Sequence, residues 1–417
     1  MAMLNVHYYS DCHFFAGCEN MLANFFNSEV FRQTHNVSFS YAQSELYEKG
    51  LERRVSKGLT IYPINFPVLL ESSKLPNWMP MLIRRVLMVG LRLTLHLPLF
   101  IYQVSVLYVL FRKLRPDILH INNGGYPAAR SALAAAIAGK CARALRVIMV
   151  VNNMADDYRH YSRWIDFPTD RIVVRCVDVF ITGSQAAGAR LQSVLKLPDH
   201  QVRTIHNGIA LRNLTSTVTA TRRRLGLGDF RGVVFGVVAL LTPSKGHQVL
   251  LNAVLKLVTD KKLLGHEFKV LIEGDGPLLD SLVGFVIINN LAPWVIFIGD
   301  EANVVDFMSA LDVLILPSVQ DEDLPNVISE AMGLGKPVIA SRLAGTPEQV
   351  IDGVTGLLVE PRNVTQLATA IFQLVDNVSM RGSMGRAALD RFDAHFTSPL
   401  ALNNYSNLYA KLIEDVQ

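Results

Sequence analysis

Two glutamates eight residues apart, Glu322 and Glu330, stand where a strand gives way to a helix. A strand is predicted to end at Pro317 and a helix to begin near Asn326, which places Glu322 in the connecting loop. In open α/β sheets, ligands bind beyond the carboxyl ends of strands, where this loop lies. Carboxylates accept hydrogen bonds from hydroxyl groups, while the free N–H groups at a helix start suit an anion such as phosphate. A ligand that carries both phosphate and many hydroxyl groups is a nucleotide sugar.

The same two glutamates have a simpler interpretation. Acidic residues are common at helix starts because they interact favourably with the helix dipole. The spacing alone therefore leaves both interpretations open, and the surrounding residues have to decide between them.

The residues around the pair form a longer pattern. Glu322 and Glu330 lie within EDLPNVISEAMGLGKPVIAS, which closely resembles the signature of the group 1 glycosyltransferases (family 4), retaining enzymes of the GT-B fold. The resemblance continues downstream through AGTPE and DGVTGLLV, and upstream through ALLTPSKGH and EGDGP. It covers most of residues 200–390 in consistent order, and the set of motifs is specific although no single motif is. It implies transfer of a hexosyl unit from a nucleotide-diphosphate sugar, with retention of the anomeric configuration.

The resemblance also implies roles for individual residues. In the family, the first glutamate of the pair contacts the donor sugar, the second holds the nucleotide ribose, and the lysine of the KG turn contacts the donor diphosphate. These roles fall on Glu322, Glu330 and Lys245, with the helix start at Asn326 assisting in donor binding. A fixed cation at Lys245 would stabilise the negative charge that the diphosphate gains as the glycosidic bond breaks.

The loops beside Lys245 hold two further candidates and one departure from the family. Gly274 and Gly276 are predicted donor-binding residues, where a glycine either lets the backbone approach closely or only shapes a tight turn. The family usually carries an arginine five residues before the lysine, and here that position is Leu240. Either another cation substitutes for this arginine, or the donor phosphate is held less tightly.

The first half of the chain resembles the family less closely, as expected for a part that binds variable acceptors. FAGCE at residues 15–19 resembles the glycine loop after the first strand, with Gly17 as the predicted donor contact. RPDILHINN at residues 115–123 resembles a strand that commonly ends in a His-x-His pair. Asn122 replaces the second histidine in the predicted catalytic site, where it can hydrogen-bond but cannot act as an acid or base at neutral pH. His120 and Asn153 are predicted to bind acceptor, with a core position as the alternative for His120.

Short strands rich in Val and Ile alternate with helical segments along the whole chain, which predicts doubly wound α/β sheets. With the resemblance, the expected fold is GT-B, two Rossmann-like domains facing across a cleft. Residues 1–205 are predicted to bind acceptor, residues 206–392 to bind donor, and residues 393–417 to form a helix that crosses back. The predicted strands are 5–9, 37–41, 60–65, 118–122, 146–151, 179–182, 233–240, 268–273, 295–298, 313–316 and 338–341.

Composition excludes several other classes of protein. Half of the 417 residues are hydrophobic and 18% are charged, which excludes global disorder and fibrous structure. The 40 Lys and Arg residues outnumber the 36 Asp and Glu residues by only four. The resulting net charge of +4 is too small to indicate a nucleic-acid partner. The four scattered cysteines indicate a reducing, cytoplasmic location, and no signal peptide is expected. The sequence shows no carboxylate–histidine cluster that would suggest a metal site. The resemblance to the GT-B family implies metal-independent chemistry, with the nucleotide-diphosphate sugar as donor substrate and no cofactor.

A segment of 19 residues without a charged side chain, 93–111, is long enough to span a membrane and has Arg84, Arg85 and Arg92 before it. It is interpreted as a buried or partly exposed helix, as a helix lying on an anionic membrane, or as a true span, which would interrupt the first sheet. The segment favours a glycan or lipid-linked acceptor in surface polysaccharide biosynthesis. It also leaves open a peripheral position on the inner face of the cytoplasmic membrane.

Two other classes of function remain compatible with the sequence. One is a non-catalytic GT-B subunit that binds nucleotide sugar, which Leu240 and Asn122 would favour. The other is a different enzyme on the same fold, such as a sugar-nucleotide epimerase or a glycan phosphorylase, although a phosphorylase of the pyridoxal type would need a much longer chain.

Overall fold

The structure is a computed structural model that describes residues 3–12, 15, 17–67, 80–159, 161–260, 263–301, 303–320 and 322–415. The chain forms two compact units. One consists of Met1–Thr182, Gly188–Ile205 and Leu402–Gln417, and the other of Gly183–Ala187 and His206–Ala401.

The first unit is built on a parallel sheet. Its seven strands are β1 (Leu4–Ser10), β2 (His35–Ala42), β3 (Thr60–Ile64), β4 (Ile118–Asn123), β5 (Arg146–Val151), β6 (Val179–Thr182) and β7 (Val202–Thr204). They pair in the order β3-β2-β1-β4-β5-β6-β7. The connections run in opposite directions on the two sides of β1 and β4, which leaves a crevice at the carboxyl ends of these two strands. The helices that follow these strands are α1 (Asn20–Asn27), α2 (Glu29–Thr34), α3 (Glu45–Arg54), α4 (Met81–Leu114), α5 (Arg130–Cys141), α6 (Tyr161–Cys176) and α7 (Gln185–Leu195).

Close packing of α5 holds the first sheet to its helices. Most of α5 is buried, and its run of alanines lets neighbouring elements approach it. A Cβ atom at Gly139 would lie 2.3 Å from Cδ2 of Leu119 on β4, so the backbone of α5 approaches the sheet directly. Leu107 and Phe111 of α4 are buried in the same core, which fixes one side of that long helix.

The second unit repeats this architecture with six parallel strands. They are β8 (Val233–Val238), β9 (Phe268–Glu273), β10 (Val295–Gly299), β11 (Val313–Leu316), β12 (Val338–Ser341) and β13 (Gly356–Val359). Their order is β10-β9-β8-β11-β12-β13, so the direction of connection reverses between β8 and β11. The loops after these two neighbours therefore border the expected ligand crevice. The helices are α8 (Val218–Arg224), α9 (His247–Asp260), α10 (Leu279–Ile288), α11 (Val304–Ala310), α12 (Asn326–Gly333), α13 (Thr346–Gln349), α14 (Val364–Asp376) and α15 (Val378–His395).

The last helix, α16 (Ser398–Glu414), ends the described chain. Residues from Leu402 onward belong to the first unit, and residue 393 lies within α15. The predicted crossing segment 393–417 stays a prediction. In the first unit, Tyr405 and Tyr409 of α16 are fully buried against aromatic side chains such as Phe25.

Candidate functional site

The structure brings Lys245 and Glu322 together in the second unit. The Lys245 ammonium donates a hydrogen bond to Oε1 of Glu322 at 2.5 Å, and the hydroxyl of Ser318 donates to the same oxygen at 2.6 Å. Glu322 is buried, while Lys245 is partly exposed at the carboxyl edge of the sheet. The carboxylate therefore orients the ammonium and neutralises it. A diphosphate, which carries more negative charge, could compete for this ammonium.

Two loops position this pair by direct backbone contact. Lys245 ends a short 3-10 turn, Pro243–Lys245, in the loop after β8. Gly246 follows with φ +72°, and a Cβ atom there would lie 1.9 Å from the carbonyl oxygen of Pro317. The amide of Val319 donates to the carbonyl of Ser244 at 2.8 Å. Because no side chain fits at Gly246, the loops after β8 and β11 can lie against each other and hold the two charges in register.

Gly274 and Gly276 contact the protein's own backbone. Their φ angles are +125° and +157°, and Cβ atoms there would lie 2.1 Å from the carbonyl oxygen of Ala239 and 2.7 Å from that of Leu241. The structure thus accounts for both glycines by a tight turn packed on the loop after β8. Their predicted contact with the donor stays a prediction.

Helix α12 carries the second glutamate of the pair. Asn326 is its first residue, and the side-chain oxygen of Asn326 accepts a hydrogen bond from Nδ2 of Asn207 at 3.3 Å. Glu330 is half-buried four residues later, which places it on the same face of the helix, one turn from the amino end. The helix start and Glu330 are therefore close enough to serve one ligand.

Asp323, which the sequence analysis did not single out, is a buried carboxyl next to Glu322. Burial raises its pKa to about 6, and the charges of Glu348 and Glu322 act in the same direction. The hydroxyl of Ser184 donates to Asp323, and Glu348 accepts the backbone N–H groups of Gln185 and Ala186. Both acids lie in motifs of the family resemblance, and they anchor the 183–187 segment within the second unit.

Glu273, the last residue of β9, is a second buried acid that sequence reasoning missed. Its Oε1 accepts the N–H of Glu301 at 3.2 Å. Burial raises the pKa of Glu273 to about 7, with Asp300 and Glu301 adding to the effect.

We expect Glu273→Gln to remove a pH dependence of stability. The folded state binds the Glu273 proton more tightly than the unfolded state, so the free energy of unfolding falls as pH rises from about 4.5 to about 7. The neutral amide keeps the acceptor for Glu301 and should make the variant more stable than wild type by about 1–2 kcal/mol at about pH 8, and nearly equal at about pH 4. Urea unfolding at both pH values measures this. Asp280→Asn, at an exposed acid on α10, is the control, and an unchanged pH dependence in Glu273→Gln would contradict the prediction.

In the first unit, Asn122 belongs to a buried polar chain at the ends of β1, β4 and β5. Its Nδ2 donates to Oε1 of Glu19 at 3.2 Å, and its Oδ1 accepts from Nδ2 of Asn152 at 2.8 Å. Ser10 also donates to Glu19, at 2.9 Å. Both ends of the Asn122 amide are thus held at the crevice of this sheet, and its predicted catalytic role stays a prediction. Neither Glu19 nor Ser10 was predicted. Ser10 lies outside the quoted motifs, and in FAGCE the prediction was placed on Gly17 and not on Glu19.

His120 lies in the aromatic core of the first unit instead of with Asn122. Its Nδ1 hydrogen-bonds to the Tyr409 hydroxyl at 2.5 Å, and its ring packs against Tyr8 and Phe25. Burial lowers its pKa to about 3, so the ring stays neutral. This position matches the core alternative and does not support the predicted acceptor contact.

The surroundings of the remaining predicted residues, Gly17 and Asn153, and of Leu240 do not indicate what these residues bind. Gly17 is exposed and begins a short 3-10 turn, Gly17–Glu19, that delivers Glu19 to the polar chain. The side chain of Asn153 accepts the N–H of Met154 at 2.7 Å in a local turn. Leu240 is 57% exposed beside the loop of Lys245. The described residues include no group of three or more His, Cys, Asp or Glu that could hold a metal ion.

Two family models match the chain, one within the second unit and one mainly over the first. The model described as "Glycosyl transferases group 1" matches residues 232–377, and "Glycosyltransferase Family 4" matches residues 68–213. Together they cover more than half of the chain.

Solved structures and curated proteins that resemble this chain are also glycosyltransferases or share their fold. HepE of Anabaena, solved with UDP, superposes with a TM-score of 0.75 at 18% identity, over 98% of this chain and 100% of that one. N-acetyl-alpha-D-glucosaminyl L-malate synthase of Bacillus anthracis is 26% identical over 52% of this chain and 56% of its own length. The GDP-mannose-dependent alpha-(1-6)-phosphatidylinositol monomannoside mannosyltransferase of Mycolicibacterium smegmatis is 29% identical over 56% of this chain and 63% of its own length. The chain spans about half the length of the curated relatives it matches.

The two parallel sheets with alternating helices and the structural neighbours define a protein of the GT-B fold with two Rossmann-like domains. The chain belongs to the group 1 glycosyltransferases, family 4. The predicted fold and family are confirmed, and the names of the relatives support the predicted class of enzyme, a transferase.

Proposed function

We propose that this protein transfers a hexosyl unit from a nucleotide-diphosphate sugar to a hydroxyl group of a glycan or lipid-linked acceptor, with retention of the anomeric configuration. The observation that carries the proposal is the pairing of Lys245 with Glu322 at the carboxyl edge of the second sheet. The UDP bound by HepE supports a nucleotide as part of the donor.

Each residue of the site has a role in this reaction. The Lys245 ammonium would leave Glu322 for the diphosphate and stabilise the charge that develops on the leaving group. Glu322, still held by Ser318, would accept hydrogen bonds from the sugar hydroxyls and orient the reacting carbon. Glu330 would hold the ribose, and the N–H groups at the start of α12 would face the phosphates. Lys245 and the N–H groups at the start of α12 supply positive charge from the chain itself, so we propose a reaction that needs no metal or cofactor.

Asn122 would act by hydrogen bonding alone. Its amide is fixed by Glu19 and Asn152 and neither gains nor loses a proton at neutral pH. We therefore assign it to positioning of the donor sugar or acceptor, with acceleration of the reaction resting mainly on Lys245 and Glu322.

The acceptor class is supported by two observations. The mycobacterial relative acts, by its name, on a phosphatidylinositol mannoside, and helix α4 of this chain is long and apolar. A growing surface polysaccharide or a lipid-linked sugar at the inner face of the cytoplasmic membrane fits both, and the enzyme itself would be cytoplasmic.

The reaction is tested by incubating the full chain with UDP-, GDP- and ADP-hexoses and a lipid extract, and following the anomeric protons of donor and product by NMR. We expect one donor to be consumed, nucleoside diphosphate to be released, and the product to keep the donor's anomeric configuration. An inverted product would contradict retention. Donor binding without turnover would favour a non-catalytic subunit, and release of an epimeric sugar would favour an epimerase.

A further inference from the structure

Helix α4 has two faces, and both are apolar. The inner face is formed by Phe100, Val104, Leu107 and Phe111, which pack into the core of the first unit. Their spacing of three and four residues places them on one side of the helix. This side accounts for only part of the apolar composition of α4.

The outer face of α4 carries Leu97, Ile101, Tyr102, Tyr108 and Val109, all of which are exposed. Ser105 is exposed on the same face, and its hydroxyl donates to the backbone carbonyl of Ile101 at 2.9 Å within the helix. Ile101 is 55% exposed and Val109 is 67% exposed. Only 11% of the window Leu97–Leu114, with a mean hydropathy of 1.4, is buried. A helix on a solvated surface usually carries polar or charged side chains on its outer face. An outer face whose exposed side chains are mostly apolar, with the Ser105 hydroxyl bonded back to the helix, therefore indicates an interaction surface.

The charges at the end of the outer face determine what it would contact. Arg112, Lys113 and Arg115 are exposed and form no ion pair with any described residue. The sequence from Met81 to Arg115 contains no Asp or Glu. An apolar stripe that ends in three unpaired cations is complementary to a surface with an apolar interior and anionic groups at its boundary.

The packing of α4 on the first unit limits the orientation in which the helix could contact such a surface. If α4 spanned a membrane, lipid would surround it on all sides. Leu107 and Phe111 instead pack in the core of the first unit. The helix can therefore offer lipid only one side, and it would lie in the plane of the interface. Tyr102 and Tyr108 suit the boundary between lipid and water, because a tyrosine there places its ring in apolar surroundings and its hydroxyl in water.

We propose that the outer face of α4, from Leu97 to Val109 with the cations up to Arg115, is a membrane-contacting surface that binds flat on an anionic lipid bilayer. This surface lies on the first unit and involves none of the residues that bind donor. It would bring the first unit to the place where a lipid-linked acceptor is found.

Vesicle flotation of the full chain tests this proposal. We expect the protein to float with vesicles of phosphatidylcholine and phosphatidylglycerol, to float less with phosphatidylcholine alone, and to be released by salt, which screens the cations. Val109→Glu should lower partitioning into the anionic vesicles by about tenfold or more, because it places a charge among the apolar contacts. The double variant Arg112→Glu with Lys113→Glu should remove the preference for anionic lipid.

Val30→Glu is the matched control, since Val30 is a 75% exposed residue on α2 of the same unit and should leave flotation unchanged. Circular dichroism checks folding, and Ile101→Glu tests the same face if Val109→Glu does not fold. Absence of flotation in the wild type, or equal flotation of wild type and both outer-face variants, would overturn the proposal. A dimer in solution that Val109→Glu dissociates would assign the face to a second copy instead. The measurement uses neither donor nor acceptor, so its failure would leave the proposed transfer reaction untouched.

Discussion

Lys245→Ala is expected to lower the rate of sugar transfer by about two to three orders of magnitude while the fold survives. The ammonium is the positive charge that stabilises the diphosphate as the glycosidic bond breaks. Loss of one such electrostatic contact typically lowers the rate of reaction by a factor of about 100 to 1,000. The side chain is partly exposed and its removal leaves no cavity in the core. The release of nucleoside diphosphate under saturating donor measures the effect.

The control for this variant is Lys256→Ala. Lys256 lies on α9 in the same unit and forms an exposed ion pair with Asp260 at 2.6 Å, a contact that contributes little to stability. It should keep activity within about twofold of wild type. Near-wild-type turnover in Lys245→Ala would contradict the role of this lysine, and an equal loss in both variants would point to a general effect of lost charge.

Glu322→Gln is expected to separate transfer from nucleotide binding. The amide keeps the shape of the side chain but loses the charge that orients the sugar and pairs with Lys245, so transfer should fall by about a hundredfold or more. The affinity for free nucleoside diphosphate should stay equal or rise, because the Lys245 ammonium no longer has a carboxylate partner. Initial rates and calorimetric titration with nucleoside diphosphate measure the two quantities.

Glu360→Gln serves as the control for the loss of one negative charge, since Glu360 is exposed and pairs with Arg342 at 3.3 Å. It should change neither quantity. A Glu322→Gln variant with full transfer activity, or with weakened nucleoside diphosphate binding, would contradict the proposed division of roles between Glu322 and Lys245.

The strands of the fold could be predicted because buried parallel strands are short runs of apolar residues. All eleven predicted strands are present, several with bounds that agree within a residue or two. The two that were missed, β7 and β13, lie at the edges of their sheets and have three and four residues. The central strands β6, β11 and β12 also have only four residues, but all of their residues are buried and apolar character marks them. The edge strands β7 and β13 are buried less completely, so their sequences show this pattern less clearly.

The candidate site could be predicted only where a motif places its residues at known spacing. Lys245 and Glu322 were identified in this way, and the structure places them in contact although 77 residues separate them. Glu19, Glu273 and Asp323 lie within quoted motifs, but the motifs assign them no role. Their burial and their hydrogen-bond partners are set by the folded chain, so the spacing alone did not single them out. The position of His120 in the core depends in the same way on α16, almost 300 residues further along the chain.

Saturation-transfer NMR of the full chain against a panel of nucleotide sugars, repeated with Glu330→Ala, tests the central claim most directly. The account predicts that one donor gives ribose and base signals, and that Glu330→Ala weakens them by about tenfold in affinity, since a charged hydrogen bond to the ribose is lost. An exposed acid on another helix, changed as Glu29→Ala, should leave the signals unchanged. If the folded wild-type protein binds no nucleotide sugar in the panel, or binds one equally well without the Glu330 carboxylate, the assignment of the second unit as the donor site is contradicted.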